Sequence, residues 1–150
     1  METIERAILD DLPQLVILLD LLFTQEADFC PDHDKQEKGL RLIIESPQAG
    51  VIFVARAELE VIGMVSLLFT ISTAEGGHVC WLEDMVVRPV YRGGGLGTRL
   101  LQHAINYGRS RGFSRITLLT DTVNSGAMRF YGRCGFAESA MTALRLDLKQ

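Results

Sequence analysis

The sequence predicts an α/β chain of the mixed α+β kind, built on a sheet whose strands run mainly antiparallel. Three observations carry that prediction. Two β-rich runs, VIFVAR at 51–56 and VIGMVSLLFT at 61–70, are separated only by AELE, which is hairpin spacing. A third run, HVCWLEDMVV at 78–87, leads into RGGGLGT at 92–98 and then into an amphipathic helix pattern. Two helix patterns precede the strands instead of alternating with them, which argues against a doubly wound parallel sheet.

In chain order, TIERAI (3–8) can form a short first strand. Asp10 or Asp11 then caps a helix whose apolar stripe is Leu12, Leu15, Val16, Leu19, Leu22 and Phe23, with Pro13 tolerated in its first turn. A polar break, TQEADFCPDHD, follows. Asp32 or Asp34 starts a second helix that turns Leu40, Ile43 and Ile44 inward and stops before Pro47. After the hairpin, STAEGG is a loop. The helix beyond the glycines buries Leu96, Leu100, Leu101, Ala104 and Ile105, and Gly112 closes it. SRITLLT (114–120) reads as a strand, SGAMRFYGRC (125–134) as a short helix, and MTALRLDL (141–148) alternates as a final strand.

Composition narrows the function classes. The 150 residues fit one domain, 1–150, and 47% hydrophobic content suffices for one core packed mainly by aliphatic side chains. A net charge of −4 argues against a nucleic-acid surface, and no apolar run is long enough to span a membrane. The opening METIERAILDDLP lacks an apolar signal core. Cys30, Cys80 and Cys134 are scattered, as expected of reduced thiols in a cytoplasmic protein. His33, His78 and His103 have no metal-ligand spacing, so no metal is expected. His103 should lie on the exposed side of its helix, and Trp81 should pack in the sheet.

RGGGLGT holds four of the chain's 14 glycines. A dinucleotide fingerprint read from Gly93 or Gly95 lacks its last glycine, and no lysine follows to make a P-loop. The stretch does satisfy R-x-x-G-x-G as Arg92, Gly95 and Gly97. Downstream, NSGAMRFYGRCGF matches N-x-x-[A/S]-x-x-[F/L]-Y-x-x-x-G-F through Asn124, Ala127, Phe130, Tyr131, Gly135 and Phe136. With LEDMVVRPVYRG upstream, these segments resemble the GCN5-related N-acetyltransferase (GNAT) family.

The resemblance implies a mostly antiparallel mixed sheet of about six or seven strands with about four flanking helices, and a splayed strand pair that holds acetyl-CoA. Arg92, Gly93, Gly94, Gly95, Leu96, Gly97 and Thr98 would hold the pyrophosphate on free N–H groups at a helix start. Met85, Val86 and Val87 would pair with the pantetheine arm as an added strand, the amide of Met85 or Val86 polarising the thioester. Asn124, Ala127 and Tyr131 would also line the cofactor, Asn124 capping its helix as well.

Tyr131 corresponds to the general acid that protonates the leaving thiolate. Glu83 corresponds to a base that draws the amine proton away through water. Alternation groups Glu83 with Met85 and Val87, and Asp84 with Leu82 and Val86. A bulge would reset that phase, so either acid can face the cleft.

The implied reaction is acetyl transfer to a primary amine by direct attack. Glu26, Asp28, Asp32 and Asp34 would wall a cationic acceptor such as a small (poly)amine. The resemblance also admits a non-catalytic acetyl-CoA sensor or partner-binding module, a protein N-acetyltransferase, and a homodimer joined through late strands or helices.

Overall fold

The computed structural model describes residues 2–26 and 30–149. Its sheet has the strands β1 (Glu2–Arg6), β2 (Gly50–Ala57), β3 (Glu60–Ser72), β4 (Gly77–Val87) and β5 (Ile116–Leu118) in that spatial order. All neighbours are antiparallel except β4 and β5, which are parallel. The α/β class and the antiparallel majority are as the sequence predicts.

The hairpin expectation is met by a two-residue turn at Glu58 and Leu59, with Glu58 in the left-handed region at φ 56°. The first-strand expectation is met by β1, which pairs in register with β2 from Glu2–Ala57 to Arg6–Phe53. Strand β2 is apolar from Gly50 to Ala55 because both of its faces are covered there.

One face carries α1 (Leu12–Gln25) and α2 (His33–Ile44), where Leu12, Leu15, Leu18 and Leu40 pack against Ile52, Val54, Val61, Met64 and Val86. The other carries α3 (Leu96–Ser110), whose Leu96, Leu100, Leu101 and Ala104 meet Val51, Phe53, Val65, Leu67 and Leu82. Residues Phe130 and Tyr131 of α4 (Ser125–Arg133) pack at the margin of this second layer. Each buried aliphatic side chain contributes about 1.5–3 kcal/mol, so the two layers dominate stability.

Several expectations are corrected. Asp11 precedes α1 but does not cap it. Its carboxylate accepts the Ile8 N–H and pairs with Arg56. Asp32 does cap α2, accepting from the Lys35 N–H at 3.2 Å, and α2 ends before Pro47. The strand expected over 114–120 is limited to Ile116–Leu118, its pairing with β4 ending at Leu118 although β4 runs on to Val87.

MTALRLDL is no strand: residues 141–148 are exposed and unpaired to any ladder, which leaves five described strands instead of six or seven. A period of two makes a strand only where an edge receives it. His103 is half-buried, its ring edge-on to Phe53 at 4.6 Å, and Trp81 is 38% exposed instead of packed in the sheet.

Candidate functional site

Two irregularities of β4 build the site. On the β3 side, Ser66 faces Asp84 and Leu67 faces Leu82, so Glu83 is an extra residue without a cross-strand partner. This bulge resets the alternation. Leu82, Met85 and Val87 lie on the α3 face, and Asp84 and Val86 on the α1–α2 face. The grouping of Asp84 with Leu82 that strict alternation gives is therefore corrected.

On the β5 side, the pairs Cys80–Ile116, Trp81–Thr117 and Leu82–Leu118 end the ladder. Among the described residues, no strand lies beside this edge of β4 from Glu83 onward. The Arg88 N–H donates to Ile62 in β3, and the Asp84 N–H donates to the Ser66 hydroxyl. Alternation then turns the N–H groups of Met85 and Val87 toward the open edge.

The glycine stretch lies at the end of that edge. Arg92 is anchored by its Nε to the Val87 carbonyl at 2.9 Å. Gly93 and Gly95 both have positive φ, at 88° and 85°, which a side chain would oppose. Gly95 is the residue before α3, and no side chain caps the first-turn N–H groups of Leu96, Gly97 and Thr98. Gly94 is different, since its φ is not positive and a Cβ there meets only open space. The beginning of α3 sits close to α4, a Cβ on Gly97 falling 3.6 Å from the Phe130 ring.

Asp84 carries the strongest electrostatic perturbation in this region. Burial pushes its carboxyl up to about 7, the charges of Glu83 and Glu26 push the same way, and the Ser66 hydroxyl opposes them. No cation offsets the desolvation. Tyr131 is pushed up to about 12, by burial first and then by Glu26, Asp84 and Cys134. The phenol therefore keeps its proton across the neutral range. Its ring is held edge-on between Phe130 and Phe136, with centroids 5.2 and 5.7 Å away.

The structure thus brings Glu83, Asp84, Met85, Val87 and the 92–98 loop onto one strand and its exit, with Tyr131 near enough to feel Asp84. Glu83 is exposed at the bulge. Asn124 caps α4 by accepting the Ala127 N–H at 3.0 Å. Of the acidic break, Glu26 reaches the electrostatic environment of Asp84 and Tyr131, whereas Asp32 is occupied as a cap and Asp34 is exposed in the first turn of α2. Asp28 lies outside the described residues.

Sequence reasoning missed Ser66, the buried hydroxyl behind Asp84. Nothing in VIGMVSLLFT marks it except that it is a hydroxyl between apolar neighbours in mid-run. It also missed the tie between α1 and α2. Buried Gln36 donates to Val16 O and Asp20 Oδ1, and His33 meets Asp20 at 2.7 Å.

Comparison with known proteins agrees with this geometry. The model of the acetyltransferase (GNAT) family matches residues 16–136. Uncharacterized N-acetyltransferase MJ1207 of Methanocaldococcus jannaschii is 31% identical over 91% of this chain, which spans 61% of that relative's length, less than two thirds. Uncharacterized N-acetyltransferase YhfO of Bacillus subtilis is 32% identical over 78% of this chain and 80% of its own. The crystal structure of aminoglycoside N-acetyltransferase AAC(6')-Iy in complex with CoA superposes with a TM-score of 0.83 at 17% identity, covering 99% of this chain and 95% of that one, which is a likeness of fold. The open seam in the sheet, the glycine-led start of α3 and the family model over most of the chain converge on one statement: this chain belongs to the acetyltransferase (GNAT) family.

Proposed function

We propose that residues 1–150 form one domain that transfers the acetyl group of acetyl-CoA to a primary amine by direct attack. The observation that carries the reading is the parting of β4 from β5 beyond Leu82 and Leu118, just where burial raises Asp84 to about 7. A binding module has no use for a carboxyl tuned to neutral pH at the point where the sheet opens.

In this reading the pyrophosphate rests on Arg92–Thr98, and the pantetheine arm runs along the open edge of β4 at Met85–Val87. The orientation of Met85 favours its N–H over that of Val86 as the donor to the thioester oxygen. Asn124 and Ala127 flank the arm at the start of α4. When bound, acetyl-CoA supplies the activated acyl group and the thiolate leaving group.

An alkylamine near pKa ~10 arrives as its ammonium, and making it neutral at pH 7 costs about 4 kcal/mol. Exposed Glu83 draws the cation in and relays its proton through water. Asp84, nearly half protonated at neutral pH, receives and releases that proton. The Tyr131 hydroxyl hydrogen-bonds the sulfur as charge forms there. Full proton transfer follows only because the same apolar surroundings also raise the thiol's pKa.

The acceptor is a small polycationic amine, held by Glu26, Glu83 and Asp84 in place of the wider acidic wall. The chain works in the cytoplasm, as a homodimer.

CoA release from acetyl-CoA, followed with diamines, monoamines, aminoglycosides and neutral-tailed peptides at two salt concentrations, tests the reading. Diamines should lead, with a margin that shrinks as salt rises. Glu83→Gln should slow the reaction most at low pH and recover toward pH 9, where neutral amine is plentiful. Acetyl-CoA binding without CoA release for any amine would leave only a sensor.

A further inference from the structure

The chain's one tryptophan is open where a sheet is usually covered. At Trp81 the strand β4 is paired on both sides, with Leu68 of β3 and with Thr117 of β5. Yet Trp81 is 38% exposed. A single exposed apolar side chain is ordinary at a loop or an edge. An indole left open on an inner strand is a large ring whose face has room for a ligand.

The bulge decides which groups share that face. Val65, Leu67 and Phe69 of β3 belong to the α3 layer, so Ser66 and Leu68 between them point to the α1–α2 layer. Their partners across the ladder are Asp84 and Trp81, which therefore stand on the α1–α2 face together. Without the extra residue Glu83, positions 81 and 84 would face opposite ways. With it they are successive neighbours, about 7 Å apart along the strand. Thr117 joins them, because Ile116 and Leu118 on either side of it belong to the α3 layer.

The helix layer ends over this row. Val86 is buried with the α1 leucines, Asp84 is half-buried, and Trp81 is open. Glu26, just after α1, adds its charge to the surroundings of Asp84, and Glu83 is exposed at the bulge between Asp84 and Trp81. Carboxylates beside the free face of an indole make a receptor for an organic cation. The acids supply attraction at a distance, and the ring takes the close contact.

The inference rests on the reaction proposed above, in which the pantetheine arm runs back along β4 from Val87 to Met85. The acetyl group then ends at the bulge, and what lies ahead of it on the α1–α2 face is Trp81. We propose that Trp81 is a specificity-determining residue of the acceptor site, its indole face receiving the far cationic group of a linear amine whose near nitrogen is held at Asp84. The step from Asp84 to Trp81 selects for length. A few methylenes between two nitrogens reach both groups, whereas a monoamine engages only one.

Because Trp81 is the only tryptophan, its fluorescence reports on this face alone. In the wild-type chain saturated with CoA, a linear diamine should change the emission at a concentration about tenfold lower than the monoamine of equal chain length. In steady-state assays Trp81→Ala should raise KM for the diamine about tenfold and leave KM for acetyl-CoA and for the monoamine as they were. Trp81→Phe keeps an aromatic face and should recover most of the preference. A ring that served only to hold the seam together would move all three KM values at once, and would overturn the proposal. So would emission that does not respond to the diamine, or a diamine preference intact in Trp81→Ala. Should Trp81→Ala fail to fold, Trp81→Phe and the wild-type titration decide. CoA release separates the inference from the reaction beneath it. A diamine that changes Trp81 emission while no amine releases CoA sinks the acetyl-transfer reading and keeps the cation-binding face. Diamine-dependent CoA release with wild-type KM in Trp81→Ala sinks the role of Trp81 alone.

Discussion

Two aspartates leave water at opposite parts of the sheet, and their environments differ in one respect. Asp11, at the closed end beside β1 and β2, receives both Nη atoms of Arg56 at 2.9 and 3.1 Å and the Ile8 N–H at 2.9 Å. Burial would raise its pKa, but these partners outweigh burial and hold it below the usual carboxylate range. Asp84, at the open seam, has a hydroxyl for a partner and two acids for neighbours, so burial prevails and lifts it to about 7. A buried carboxyl with a cation is a brace, and one without is a proton carrier. The molecule uses the first where the sheet is sealed and the second where it parts.

The largest expected effect lies at the closed end. Asp11→Ala leaves both Nη atoms of Arg56 without their carboxylate, while Glu5 keeps its Nε, and should cost about 3 kcal/mol of stability, read as a shift in urea midpoint. CoA affinity of the folded protein should not change. Because the folded pKa of Asp11 is lowered, its contribution is present above about pH 4 and fades as pH falls through the folded value, so the gap between variant and wild type should narrow in acid. A gap independent of pH would remove the ion pair from the account.

At the seam, Tyr131→Phe should lower kcat about a hundredfold, equivalent to about 2.7 kcal/mol, with little change in KM for acetyl-CoA. Wild-type kcat in the variant from pH 6 to 9 would assign thiolate protonation to water.

A smaller change is expected at the glycine loop. Gly94→Val places its side chain in space that is open within the protein, so Tm should hold. CoA affinity should fall about tenfold, or about 1.4 kcal/mol, by calorimetry. Gly95→Val cannot make this distinction, since φ 85° strains any side chain whether or not a ligand is near. Unchanged affinity for Gly94→Val would take the pyrophosphate off the loop.

The smallest shift sharpens the comparison most. The folded pKa of Asp84 is raised, so its contribution to stability is full below about pH 4 and is lost as pH climbs through 7. Asp84→Asn should therefore leave Tm unchanged near pH 4 and raise it by a few degrees at pH 8, with activity lost at pH 8. A variant less stable than wild type at pH 8 would mean that a cation braces the carboxylate after all.

Much of this architecture is written locally. The hairpin needs only β-rich runs at short spacing, α3 needs an apolar stripe with Gly112 behind it, and the R-x-x-G-x-G stretch is legible because left-handed backbone at Gly93 and Gly95 demands glycine wherever it occurs. The Asn124 cap is equally local, a side chain reaching an N–H three residues on.

Other features depend on residues far apart in the chain. Glu83 becomes a bulge only because Ser66 and Leu67 step past it on β3, and that step decides which acid turns toward α1. Asp84 is tuned by Glu26 and Ser66, neither of them near it in sequence. The acidic break loses Asp32 to a helix cap because a cap and a cleft wall look alike in one dimension. MTALRLDL has the period of a strand and no ladder, since hydrogen bonds are made between strands and a sequence names only one of them. What the chain determines by itself is where backbone conformations and apolar faces recur. Which carboxyl is stripped of water, and where the sheet stays open, are properties of the space between elements, and only the tertiary structure decides them.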